Sequence, residues 1–138
     1  MAALTKTLIK ANETEAVVKI AGSDTAASVI ALATDILATG QTVTGTPKVN
    51  IIGVQWSGEA GGAIKIARNG TRIMSLVTDN PGYMDMMGTE IPPDNINNTN
   101  DISVTITNSS NAAVQGEVYL RLRKTSGYGS PAYNAGNN

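Results

Sequence analysis

The chain has 138 residues, 41% of them hydrophobic and only 15% charged, with a formal net charge of −1. This length supports one compact domain with its own core. With no Cys and no His, the sequence excludes disulfides, thiolate nucleophiles, metals held by Cys or His, and the commonest general base.

Residues 1–12 have mixed polarity and read as an N-terminal arm or an edge strand. No apolar stretch of signal-peptide length opens the chain, and no run approaches the length of a membrane-spanning helix. Glu15 to Ile20 is a short strand candidate ending at Gly22. Ala27, Ile30 or Ala31, Thr34 and Leu37 recur at helical spacing after Asp24, a possible N-cap. Ser28 to Leu32 can equally form a strand, and the β-rich surroundings favour a strand followed by a short helix. Gln41 to Lys48 reads as a Thr/Gly/Pro linker. Val49 to Trp56 is rich in β-branched residues and reads as a central strand.

The clearest local signal is Ile64 to Arg68 joined by Asn69-Gly70 to Thr71 to Val77. Asn-Gly accepts positive φ at both central positions of a type I′ hairpin turn. A two-residue loop sets Arg68 opposite Thr71 and Ile66 opposite Ile73. One face then carries Ile64, Ile66 and Ile73, and the other Lys65, Arg72 and Met74.

Thr78 to Asn100 reads as a long loop with Pro81, Pro92 and Pro93, and with Met84, Met86 and Met87. Connections longer than about fifteen residues usually carry function or lack order. Asp101 to Thr107 and Glu117 to Arg123 alternate apolar against polar, as half-buried antiparallel strands do, and Asn108 to Gln115 joins them as a hairpin. From Thr125 onward the chain lacks apolar periodicity. The expected organisation is an arm over 1–12, a β-sandwich domain over 13–125 and a Gly/Tyr/Asn-rich tail over 126–138. Six to eight strands at roughly ten-residue spacing indicate an all-β, jelly-roll-like antiparallel sandwich with at most one short helix.

Sites follow from the same residues. No carboxylate pair has a spacing that assigns acid and base roles, and Ser57 has no His to activate it, so no enzyme is expected. Asp94 to Asp101 is dense in oxygen ligands but lacks an EF-hand pattern, and Asn-rich turns cap the backbone, so no metal or cofactor is expected. Arg121 and Arg123 share one face of a strand opposite Leu120 and Leu122; with Lys124, and with Arg68 and Arg72, they suit a solvated face that blunts a sheet edge or, as a function, a salt-bridging surface for a protein partner. Few aromatic rings and a near-neutral balance argue against nucleic acid. Met84, Met86 and Met87 suit either a subunit or partner contact, or a loop folded over its own sandwich. Trp56 suits a core plug or, with Tyr83 or Tyr119 on one exposed face, a sugar-stacking platform. Tyr128 and Tyr133 lie in a tail that is either plainly disordered or orders on docking to a neighbour.

Four stretches carry a resemblance: Val49 to Trp56, Ile66 to Gly70, Asn98 to Ile106, and Tyr119 to Tyr128. With them the chain resembles small virion structural proteins of tailed bacteriophages, over about residues 15 to 130. The resemblance implies a capsid decoration, or cement, protein made in the host cytoplasm and carried on the capsid surface. Its partners would be the major capsid protein and further copies of itself, with a homotrimer favoured. No membrane or nucleic-acid partner is implied. A tail, neck or fibre component and a carbohydrate-binding adhesion module remain the alternatives.

Overall fold

The computed structural model describes residues 4–86 and 98–129. Among them the chain forms nine strands: β1 Thr5–Ala11, β2 Glu15–Gly22, β3 Ser28–Ile30, β4 Val43–Gly58, β5 Gly62–Arg68, β6 Thr71–Val77, β7 Gly82–Asp85, β8 Ile102–Asn108 and β9 Gly116–Tyr128. All pairings are antiparallel, in a five-stranded sheet β1-β2-β9-β4-β7 and a four-stranded sheet β3-β8-β5-β6.

The pairing is nested around one turn. β5 pairs with β6, β4 with β7, β3 with β8 and β2 with β9. The chain is therefore a long antiparallel ribbon, bent at Asn69-Gly70 and rolled so that β4 meets β9 and β5 meets β8. That is the jelly-roll form of the expected β-sandwich, with β1 added at one edge. At the bend, Asn69 has φ 52° and Gly70 φ 75°, the two left-handed positions that the turn requires.

Alternation fixes the core. Val18 and Ile20 of β2, and Val118, Leu120 and Leu122 of β9, point inward and are at most 1% exposed. They face Ile64 and Ile66 of β5 and Ile102, Val104 and Ile106 of β8, all fully buried. Removing a side chain of this kind from water contributes about 1.5–3 kcal/mol, so these rows drive the closure of the two sheets.

Several local expectations are corrected. Ile66 pairs with Met74, not Ile73, because a β-bulge at Ile73 inserts one residue after the turn. Met74 therefore joins Ile64 and Ile66 in the core. Gln41 to Lys48 is no linker: Val43–Gly58 is one strand, whose first part pairs with residues up to Tyr128. The expected boundary near residue 125 thus falls inside β9. The 78–100 segment contains the short edge strand β7. β8 and β9 form no hairpin, since they lie in different sheets and their connection crosses the sandwich. There the Asn108 side chain accepts the Ser110 and Ala112 N–H groups. After β3 the chain makes turns and no helix. The Asp35 carboxylate accepts the Ala31 N–H and binds Lys6 of β1, which closes the segment locally.

A second bulge decides which side chains reach solvent. In β4, Ile51 pairs with Leu122 and Gly53 with Arg121, so Ile52 is the extra residue. Val49 and Ile51 face the core before it, and Val54 and Trp56 after it. Gly53, Gln55 and Ser57 are thereby turned to the outer face.

Candidate functional site

The outer face of the five-stranded sheet is built from register rows. In one row Lys19 of β2 lies beside Tyr119 of β9, which lies beside Gln55 of β4, which lies beside Tyr83 of β7. The next row, towards the middle of β9, holds Val17, Arg121, Gly53 and Asp85. On the other side stand Glu117 and Ser57. Two shallow depressions of about 290 Å³ each adjoin here, and both are lined by Gln55, Tyr83 and Tyr119.

Local bonds order this surface. The Ser57 hydroxyl donates to Glu117 Oε1 at 3.1 Å, and Lys19 Nζ lies 3.8 Å from Glu117 Oε2. Lys19 Nζ also stands 5.6 Å from the centre of the Tyr119 ring. Arg121 Nη2 lies 3.7 Å from Glu15 Oε1. Such exposed ion pairs contribute about 0–1 kcal/mol each; they orient side chains more than they stabilise the fold. Tyr83 is 76% exposed.

The basic cluster is not one cluster. Arg121 and Arg123 do share the outer face, opposite Leu120 and Leu122. Lys124 instead points inward and is 7% exposed; its ammonium donates to the Asn12 carbonyl at 2.9 Å and to Gln41 Oε1 at 2.6 Å. Burial pulls its pKa down to about 8. Arg68 is fully buried. Its Nη1 donates to Val49 O at 2.6 Å, Nη2 to Asn98 O and Asn100 O, and Nε to Asn100 O. Burial lowers its pKa to about 10, against opposing contributions from Asp101 and Tyr128. Both cations are structural clamps: carbonyl and amide oxygens satisfy them inside the sandwich.

The other expected contact residues divide in the same way. Met84 is 42% exposed on β7, whereas Met86 packs against the core and donates its N–H to Ile52 O at 2.8 Å. Tyr128 packs against the core and its hydroxyl donates to Leu32 O at 2.6 Å; burial holds the phenol above its usual pKa. Met87 and Tyr133 lie outside the described residues, as do residues 94–97 of the Asn-rich 94–101 segment. Trp56 lies on the core side of β4, its indole N–H donating to Val77 O and Asn80 O at 3.2 and 2.9 Å. Half-buried, Trp56 nevertheless lines one of the two depressions together with Gln55, Tyr83 and Tyr119.

Gln55 and Gly53 were not anticipated as surface-forming residues. Their only signal is that they interrupt an otherwise apolar run, and the bulge at Ile52 is what gives the interruption meaning. Among the described residues no group of three acidic, His or Cys side chains is arranged to hold a metal ion. Comparison with protein families, curated proteins and solved structures finds no match.

Proposed function

We propose that this protein is a non-enzymatic virion structural protein that binds the outside of a phage capsid and braces neighbouring capsid subunits. The observation that carries the reading is the pair of edges of the five-stranded sheet. Among the described residues β1 and β7 are each paired on one side only. β1 exposes Leu8 and Ile9 at 41% and 52%, and β7 exposes Tyr83 and Met84. Apolar side chains on unpaired edges are a liability in a free monomer and an asset in an array of repeated contacts. The bulge at Ile9 and the flanking Lys6 and Lys10 blunt β1 against indiscriminate strand pairing. Jelly rolls recur in viral capsids, and that analogy of fold supports the reading.

The experiment is co-sedimentation of the purified chain with phage heads stripped of it. A Leu8→Lys/Ile9→Lys double variant should lose at least tenfold in occupancy with an unchanged melting temperature, because both residues are exposed. Undiminished occupancy would remove β1 as the capsid contact.

A further inference from the structure

We propose that the outer face centred on Gln55 binds a neutral oligosaccharide. The inference goes beyond the capsid reading and does not rest on it.

The first support is spacing. Tyr83 and Tyr119 flank Gln55 in one register row, two strand intervals apart. Neighbouring strands lie about 4.8 Å apart, so the backbone positions that bear the two rings are about 10 Å from each other with Gln55 between them. This suits two sugar rings stacked on phenols while the sugar between them meets the Gln55 amide. Among the described residues that amide makes no side-chain hydrogen bond.

The second support is the glycine beside the row. Gly53 sits inside a strand without a positive φ, so backbone conformation does not require it. A Cβ there would lie 3.3 Å from Arg121 Cδ and 3.5 Å from the Met84 carbonyl oxygen. Gly53 is buried beneath the Arg121 side chain, so glycine lets Arg121 lie close against the sheet beside one depression, which both residues line. The adjacent bulge is what turns Gly53 and Gln55 outward.

The third support is polarity. Glu117 and Asp85 accept hydrogen bonds, Arg121 donates, and Gln55 does both, which matches hydroxyl groups that also do both. Lys19 and Arg121 balance Glu117 and Asp85 in charge. A strand of nucleic acid stacking on the same rings would call for a positively charged groove.

The test is an amide NMR titration of the full chain with maltotetraose, cellotetraose, chitotetraose and laminaritetraose. At least one should give saturable shifts at the Gln55 side-chain amide and at Tyr83 and Tyr119. Tyr83→Ala, at an exposed position, should weaken that binding at least tenfold, equivalent to about 1.4 kcal/mol. Gly53→Val, which would push Arg121 off the sheet, should weaken it, and Lys65→Ala, on the outer face of the other sheet, should leave it unchanged. Absence of saturable shifts with all four sugars overturns the proposal, as do shifts that persist in Tyr83→Ala. Loss of capsid binding in Tyr83→Ala without any sugar response would assign the face to a protein contact instead.

Discussion

Arg68→Met tests how the sandwich is locked. Arg68 ends β5 in one sheet, and its guanidinium bonds Val49 of β4 in the other sheet together with Asn98 and Asn100 on the approach to β8. Val49 N–H also donates to Asn98 O at 2.9 Å, so these segments form one joint. Methionine keeps much of the aliphatic stem but leaves the Val49 and Asn100 carbonyl oxygens without the guanidinium donor and takes one of two donors from Asn98 O. Each buried unsatisfied acceptor costs about 1–3 kcal/mol. Removing the cation relieves its own desolvation, the same burial that draws its pKa down to about 10. The net loss should therefore sit near the low end of the sum, at about 3 kcal/mol, out of a typical 5–15 kcal/mol. With a urea slope of about 1.5 kcal/mol per M, the unfolding midpoint should fall by about 2 M at constant slope. Arg68→Lys should fall between, because an ammonium donates from one point and cannot span all three carbonyls. A midpoint for Arg68→Met within about 0.3 M of wild type, or roughly 0.5 kcal/mol, would refute the clamp.

Three further outcomes follow from the same geometry. Gly70→Ala should cost about 1–2 kcal/mol by urea titration, since φ is +75° but a Cβ meets open space; Gly127→Ala should cost more, because φ is +87° and a Cβ there would collide with the backbone of Thr46 and Pro47. Lys124 has a folded pKa of about 8 against an ordinary 10.5, so above pH 8 the unfolded chain binds more protons at this site. Its contribution makes stability rise from pH 8 towards pH 10, where Tyr128, held above its ordinary 10.0, begins to act in the opposite sense. Thermal melts at pH 7.5 and 9.5 should show the rise in the wild type and lose it in Lys124→Met. Trp56→Phe removes the indole bonds to Val77 and Asn80 and should cost about 1 kcal/mol by urea titration.

What the sequence reveals depends on whether a signal is local. Asn69-Gly70 marks its turn because positive φ is a property of those two residues. Ile102, Val104 and Ile106 show their face by alternation, as do Val118, Leu120 and Leu122. A bulge has no such signature. One extra residue at Ile52 exchanges the faces of Gln55 and Trp56, and one at Ile73 brings Met74 inward. Both outcomes fit an apolar run equally well until the partner strand is known. Arg68 reads as a surface cation because its acceptors are carbonyls far away in the chain. Val43 to Lys48 reads as a linker because its pairing partner, the end of β9, is itself polar. Tyr83 and Tyr119 are visible as aromatics, but only the register shows that Gln55 lies between them.

The central claim, a structural role on the outside of a phage head, is tested most directly by cryo-electron microscopy of virions produced by the genome that encodes this chain. The account predicts density for the jelly roll at regularly repeated positions on the outer capsid surface, with the β1 or β7 edge against the shell. Absence of the chain from the particle, or its confinement to the tail or neck, would contradict it.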